Sequence, residues 1–198
     1  MGRTARMLGA LLLAIGLVAP LPVWAQELPA ATPPADAERA VVVAVTDGDT
    51  IRIDRGAGLE ERLRYIGIDT PETVHPSEPV EPWGPEAAAA NRRLVADREV
   101  LLERDVSDRD RYDRLLRYVW VEQPDGWHMV NAELVALGLA EVRAYEPDTR
   151  HDAWLRQVED AARAAGRGMH APSGASPEPA DNDAQGLIDS ILDFLLGS

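Results

Sequence analysis

Cysteine and lysine are both absent from this 198-residue chain. Without cysteine the protein can form no disulfide bond, and it has neither a thiolate metal ligand nor a cysteine nucleophile. Its stability must therefore come from packing, which a domain of this length can supply. All 20 basic residues are arginines, a bias that we attribute first to codon usage and only second to selection for phosphate binding.

Several catalytic signatures are missing too. The histidines are few and scattered without metal-ligand spacing, at His75, His128, His151 and His170. Neither a Gly-x-Ser-x-Gly nucleophile elbow nor a glycine-rich phosphate-binding loop occurs. The sequence thus gives no support to a histidine metal site, a serine hydrolase of that class or a P-loop enzyme.

Positive charge is also scarce. The chain carries 34 acidic residues against its 20 basic ones, which gives a formal net charge of −14. Sequence-independent affinity for nucleic acid comes mostly from many phosphate contacts. This balance argues against a stable nucleic-acid complex and favours brief engagement at one local basic site.

The N-terminal segment is typical of a secretory signal peptide. Two arginines precede an uncharged apolar run over 7–23, and small residues follow up to Ala25. The alternative is an uncleaved membrane anchor, but two prolines leave the run short for a full span. We expect cleavage near Ala25, export to the periplasm or the medium, and no transmembrane segment in the mature chain. Cleavage leaves 18 basic residues and a net charge of −16.

The rest of the chain divides by composition. The composition predicts a flexible spacer over 26–38, a globular domain over 39–171 and a disordered linker over 172–185. Apolar residues recur at helical spacing over 186–198, which predicts an amphipathic helix that docks on its own domain or on a second copy. A partner-binding or membrane-surface role for this helix is the alternative.

Within 39–171 the pattern predicts an α+β domain that is mainly β. Strands are expected at about 41–45, 51–53, 62–68, 100–102 and 115–121, and helices at about 85–96, 130–139 and 150–165. Five strands with three interspersed helices indicate a small closed barrel with attached helices.

The most informative segment is Arg64–Glu72, in which an apolar strand runs from an arginine to two carboxylates around a proline. Arginine fits phosphate bidentately, and close carboxylates favour a cation between them or a shared proton. The plain alternative is a solvated strand end. Arg64 and Asp69 fall on opposite faces of an ideal strand, so a common site requires a bend near Gly67 or Pro71.

Two further segments carry charge that could join this site. Asp47-Gly48-Asp49-Thr50 predicts a hairpin turn, and its start resembles a calcium loop, but Arg52 and Gly58 do not match the later positions of such a loop. Asp110–Arg114 is a charged loop that leads into a strand. On its own it is typical of solvated surface.

In this order the three segments resemble the staphylococcal nuclease (thermonuclease) family, and the resemblance covers roughly 40–171. Further matching residues are His75-Pro76, Gly84-Pro85-Glu86-Ala87, Met129-Val130-Asn131 and Gly138-Leu139-Ala140. The resemblance implies a five-stranded OB-fold barrel with three helices. It also implies a Ca²⁺-dependent phosphodiesterase that cuts DNA and RNA, preferably single-stranded, and leaves 3′-phosphates.

The same resemblance assigns roles to individual residues. The implied Ca²⁺ ligands are Asp49, Asp69 and the Thr70 carbonyl, with Asp47 behind them. The implied catalytic residues are Glu72 as general base and Arg64 and Arg114 as phosphate ligands, and the implied substrate contacts are Tyr112, Tyr145 and Arg111.

This chain departs from the family at three places, and its function has alternatives. The loop after Glu72 reads Ser77-Glu78, where the family's type protein carries lysine. Asp113 stands where the family usually has glycine, so its carboxylate either pairs with Arg114 or points to solvent. A substrate-flanking tyrosine is replaced near Arg143-Ala144, which leaves Tyr145 as the remaining candidate. The alternative function is a non-catalytic OB-fold module that binds nucleic acid or protein. A further alternative gives the main role to 186–198, as an assembly or envelope-docking element.

Overall fold

A computed structural model describes residues 32–56, 58–73 and 80–172. The predicted signal peptide, the first part of the spacer (26–31), nearly all of the linker and the predicted C-terminal helix 186–198 lie outside these residues. Within them, no helix is both long and apolar enough to cross a bilayer.

Five of the strands close into a barrel, as the sequence predicts. The strands are β1 Glu38–Asp47, β2 Thr50–Asp54, β3 Glu60–Tyr65, β4 Ile68–Asp69, β5 Glu99–Glu103, β6 Leu115–Gln123, β7 Gly126–Met129 and β8 Glu141–Val142. The main sheet has the order β3-β2-β1-β5-β6-β7, and a parallel pairing of β3 with β6 closes it. Together with three helices this confirms the predicted OB-fold-like α+β architecture.

The helices pack around this barrel at close to the expected positions. They are α1 Gly84–Val95, α2 Val130–Ala136 and α3 Asp152–Ala164, followed by a short 3-10 helix at Gly168–His170. The predicted second helix extended to 139, but α2 ends earlier. Gly138 has φ +70°, and a Cβ there would lie 2.2 Å from the Arg167 carbonyl oxygen. The chain therefore turns at this glycine instead of continuing the helix.

The predicted strand 62–68 is divided by a turn at Ile66 and Gly67. Gly67 has φ +77°, a conformation that glycine adopts without strain. The turn separates β3 from β4, and β4 pairs with β8 in a two-stranded ribbon that the sequence did not predict. This is the bend that a common site for Arg64 and Asp69 requires, and it lies at the first of the two predicted places.

Two buried asparagines fix the backbone near that bend. Asn131, on α2, donates from Nδ2 to the Ile66 carbonyl at 2.9 Å and accepts from the Val119 amide at 3.0 Å. Asn91, on α1, donates to the Asp47 carbonyl at 3.0 Å and accepts from the Tyr65 hydroxyl at 2.8 Å. Because buried polar groups need partners, these bonds specify where each helix docks.

The packed interior is mostly aliphatic, since the chain has a single phenylalanine. Its largest fully buried aromatic side chains are Trp120, Tyr65 and Tyr118. The indole of Trp120 donates to Glu103 at 2.9 Å, so the polar end of this ring is also satisfied. Helices and barrel thus share one hydrophobic core.

His128, on β7, makes stability depend on pH. Its Nδ1 lies 2.7 Å from the buried Glu133 carboxylate and its Nε2 lies 3.0 Å from Asp125, and the bond with Glu133 raises the pKa of His128. The raised pKa stabilises the fold below the unfolded value of 6.5, and this contribution is lost as the pH rises through the folded pKa.

We expect His128→Gln to lower the free energy of unfolding by about 1–2 kcal/mol at low pH and by progressively less at higher pH. Urea unfolding of both proteins between about pH 5.5 and pH 8.5 measures this difference. His170→Gln is the control, because burial lowers the pKa of His170 and the trend with pH should reverse. A difference for His128→Gln that stays constant with pH would contradict this account.

Candidate active site

A cavity of about 170 Å³ lies where β1, β2, β3 and the start of β6 meet. It is lined by Thr46, Asp47, Thr50, Arg62, Arg64, Glu72 and Arg114. All three residues with implied catalytic roles are therefore on one surface. The parallel register of Leu63 with Leu115 explains the meeting of the two arginines, because Arg64 and Arg114 immediately flank that pair.

Arg64 bridges two carboxylates. Its Nη1 is bonded to Asp49 Oδ1, and its Nη2 lies 2.5 Å from Asp69 Oδ1. The register of β2 with β3 pairs Thr50 with Arg64, which places the hairpin residue Asp49 beside the guanidinium. Burial raises the pKa of Asp49, and the charge of Arg64 opposes this rise. The ion pair therefore offsets part of the cost of burying this carboxylate.

Glu72 and Asp47 form a second, like-charged pair. Burial raises the pKa of Asp47 to about 6, and both a hydrogen bond and charge repulsion from Glu72 add to the rise. The Thr73 hydroxyl opposes it by donating to Asp47 Oδ1 at 2.6 Å. Two carboxylates this close repel each other when both are ionised. The pair is therefore more stable when one of the two groups holds a proton.

Arg114 is held by the loop that precedes β6. Its Nε donates to Asp110 Oδ2 at 2.7 Å, while Asp110 Oδ1 accepts the backbone amides of Arg114 and Tyr112 at 2.9 Å each. Burial disfavours the charged form of Asp110, but these bonds outweigh it and lower its pKa. Tyr112 is half exposed, with the Arg111 and Arg114 guanidinium carbons 4.7 and 5.6 Å from its ring centroid.

The Asp113 side chain points to solvent, which is the second of the two orientations that the sequence left open. Its side chain is 84% exposed and lies 3.6 Å from Arg109 Nη1, whereas Arg114 is paired with Asp110. Its backbone has φ +62°. An aspartate tolerates this conformation less well than the glycine typical of the family. The substitution therefore affects the backbone of the loop and leaves Arg114 with its own partner.

We expect Asp113→Gly to raise the free energy of unfolding by about 0.5–1 kcal/mol, because glycine removes the strain of the positive φ. Loss of a negative charge beside the cavity should also tighten substrate binding modestly. Asp97 offers a matched control, since it is exposed and has φ +59° outside the cavity. Asp97→Gly should give a similar gain in urea unfolding without changing substrate affinity. Equal effects of both variants on affinity would refute the local role of Asp113.

Thr70 lies directly beside the buried carboxylate. Its backbone amide donates to Asp49 Oδ2 at 3.0 Å. Its hydroxyl is buried without a hydrogen-bond partner among the described residues. A Cβ on Gly48 would lie 2.6 Å from that hydroxyl oxygen. Glycine in the Asp47–Thr50 hairpin is thus required for close approach to Thr70.

Two arginines at this site were not predicted from the sequence. Arg62 lines the cavity, and alternation along β3 could have found it, because it lies two residues before Arg64 on the same face. Arg143 Nη1 lies 3.4 Å from Asp69 Oδ2. A hydrogen bond with Tyr145 and the charge of Asp69 raise the pKa of Arg143. Tyr145 therefore shares Arg143 with Asp69, but it is exposed and lies outside the cavity lining. Only the β4–β8 pairing brings Arg143 here.

The carboxylates around Arg64 suit a hard cation. Ca²⁺ prefers carboxylate and carbonyl oxygens and tolerates irregular geometry. Asp49 and Asp69 already face one positive group, the Arg64 guanidinium, and the Asp69 side chain is 35% exposed. Among the described residues no group of three or more metal-ligating side chains occurs. A bound ion would therefore depend on these two carboxylates, the adjacent Thr70 carbonyl and water.

The chain has clear relatives. The family model described as "Staphylococcal nuclease homologue" matches residues 62–171. A thermonuclease from Staphylococcus hyicus is 41% identical over 122 residues, which cover 62% of this chain and 69% of that protein. A thermonuclease from Staphylococcus intermedius is 40% identical over 126 residues, covering 64% and 72%. "Endonuclease YncB" from Bacillus subtilis is 40% identical over 119 residues, covering 59% and 54%. The chain belongs to the staphylococcal nuclease family.

Proposed function

We propose that this protein is an exported, Ca²⁺-dependent phosphodiesterase that cleaves DNA and RNA with low sequence specificity. The observation that carries this proposal is the shared cavity, which brings Arg64, Arg114 and Glu72 together beside Asp49 and Asp69. The printed names of the relatives, thermonuclease and endonuclease, support a nuclease.

The two arginines would bind the scissile phosphate. Each presents a planar fork of donors, and fixed donors stabilise the charge that develops on the phosphate oxygens in the transition state. Asp110 orients Arg114 through its Nε and leaves the remaining nitrogens for substrate. Arg64 would release at least one of its carboxylates to reach the phosphate.

Glu72 would act as the general base. A carboxylate in hydrogen-bond reach of a water can take its proton as the oxygen attacks phosphorus. The bond from phosphorus to the 5′ oxygen then breaks, and the departing oxygen takes a proton from solvent. The products are a 3′-phosphate and a 5′-hydroxyl. Asp47, whose pKa is raised to about 6, would be uncharged below that pH and would then not repel the Glu72 carboxylate.

Calcium is the cofactor that the oxygen donors fit best. The staphylococcal nuclease family is generally one of metal-dependent nucleases. Bound by Asp49, Asp69 and Thr70, the ion would neutralise phosphate charge and orient water. Two carboxylates that now share one arginine supply the negative charge that such binding requires.

The deciding experiment is cleavage of a labelled single-stranded oligonucleotide by the purified full chain. Cleavage should require calcium, stop with a chelator and return with excess calcium. Calcium should also raise the melting temperature of the wild type but not of Asp69→Asn, and mass spectrometry should find 3′-phosphates. Binding without cleavage at any calcium concentration would instead favour a non-catalytic OB-fold module.

Export and substrate class complete the proposal. The N-terminal arginines and apolar run support cleavage near Ala25 and release to the periplasm or medium. The net charge of −14 supports brief contact with nucleic acid, with Tyr112, Tyr145 and Arg111 as the proposed substrate contacts. Fractionation of cells that express the full chain tests the location. Self-association through 186–198 is tested by sizing the protein with and without that segment.

A further inference from the structure

Arg62 is a third arginine on the wall of the catalytic cavity. It lies on β3 two residues before Arg64, so both side chains leave the same face of the strand. Their Cα atoms are separated by about 7 Å along the strand. This distance resembles the spacing of consecutive phosphates along an extended single strand of nucleic acid.

The three cavity arginines differ in how their charge is balanced. Arg64 is paired with Asp49 and Asp69, and Arg114 is paired with Asp110. Arg62 is exposed and forms no ion pair with any carboxylate in the part of the chain that the structure describes. In a protein with far more acidic than basic residues, it therefore offers an uncompensated positive charge at the cavity.

The position of Arg62 lowers the stability of the sheet, because a second arginine faces it on the neighbouring strand. It lies directly opposite Arg52 on β2, and like charges opposite each other in a sheet are destabilising. Arg52 is relieved by Glu60 at 2.8 Å. Arg62 instead donates from Nη2 to the Tyr112 carbonyl at 2.9 Å, which directs its guanidinium toward the loop that carries Arg114.

We propose that Arg62 binds a second phosphate of the substrate strand, adjacent to the phosphate held by Arg64 and Arg114. The carbonyl of Tyr112 uses one of the five N–H donors of the guanidinium and leaves the others for phosphate oxygens. The preferred substrate is therefore a strand with at least two consecutive phosphodiesters. This inference rests on the proposed nuclease function and specifies the substrate of the same cavity.

The test compares Arg62→Gln with wild type on two substrates that differ in phosphate number. On an oligodeoxynucleotide of about eight residues, KM should rise about 3- to 10-fold with kcat nearly unchanged. On a dinucleotide with a single phosphodiester, both constants should stay at the wild-type values. The slope of log affinity against log salt should fall in magnitude by about 0.7, the value for one lost phosphate contact on a single strand. Arg62→Lys should restore part of the affinity because it keeps the charge.

Controls separate this role from others. Arg52→Gln removes the same charge from the neighbouring strand, and Arg39→Gln removes it from an exposed ion pair at the start of β1, so both should leave KM unchanged. Equal losses on both substrates would mean that Arg62 only positions the Arg114 loop, and would overturn the proposal. An unchanged KM and salt slope would overturn it as well.

Oligonucleotide affinity measured by fluorescence anisotropy in chelator provides a readout without catalysis. A weaker affinity of Arg62→Gln there would support the phosphate contact even for a wild type that does not cleave. Absence of cleavage by the wild type would count against the proposed function alone.

Discussion

Replacing Glu72 by glutamine is expected to lower kcat about 10²- to 10⁴-fold, because the amide cannot accept the proton of the attacking water. Binding should change little, since Arg64 and Arg114 still line the cavity. The fold should be retained or slightly stabilised, because the change removes the repulsion that Glu72 exerts on Asp47. Single-turnover cleavage and urea unfolding of the same preparation measure both effects.

Glu81 provides the matched control for this experiment. Its Oε2 accepts the Glu72 backbone amide at 2.9 Å, and its own amide donates to the Glu72 carbonyl at the same distance. Glu81→Gln makes the same chemical change on the same loop, outside the cavity lining, and keeps an acceptor for that bond. It should retain full activity. Wild-type rates in Glu72→Gln, or an equal loss in both variants, would eliminate Glu72 as the base.

Arg64→Gln is expected to impair both activity and stability. Loss of an arginine that stabilises a phosphoryl transition state lowers kcat by about 10³- to 10⁵-fold. Removal of one partner also leaves Asp49 buried without its cation, which costs about 3 kcal/mol in the free energy of unfolding. The pKa of Asp49 is already raised by burial from its usual 3.8 and should rise further. The stability loss should therefore be small near pH 3 and grow as the pH rises through the carboxylate range.

Arg114→Gln is the comparison that separates the two effects. Asp110 keeps its bonds from the Tyr112 and Arg114 amides after this change, so the stability loss should be about 1 kcal/mol or less. The activity loss should be similar to that of Arg64→Gln. Calcium should restore part of the stability of Arg64→Gln by replacing the missing cation, and not that of Arg114→Gln. Equal destabilisation of both variants at neutral pH would contradict the bridging role of Arg64.

Much of the fold could be predicted from the sequence because its signals are local. The apolar runs of β1 and β6, the Asp47–Thr50 hairpin and the proline at the start of α1 each specify a backbone conformation over a few residues. The missed elements are short or depend on distant partners. β4 and β8 have two residues each and exist only because they pair with each other. β7 follows β6 through a tight turn, and its four residues carry little periodicity.

The site divides in the same way. Asp49, Arg64, Asp69, Glu72 and Arg114 are recognisable because their residue types, order and spacing match a family pattern. Arg143 reaches Asp69 only through the β4–β8 pairing, so no local sequence pattern predicts that Arg143 belongs to the site. The orientation of Asp113 was likewise left open by the sequence, because adjacent residues can point to opposite sides of a loop.

By itself, the sequence determined which chemical groups this protein has: no thiol or lysine, and a set of carboxylates and arginines in a recognisable order. It also indicated the five barrel strands and the three helices. The tertiary structure decided which of these groups meet. The parallel pairing of β3 with β6 sets Arg62, Arg64 and Arg114 around one cavity, and the turn at Gly67 returns Asp69 to Arg64. Local sequence encodes backbone propensity. The pairing of distant strands depends instead on burial of a common core. Charged residues far apart in the chain therefore meet only after that core has formed.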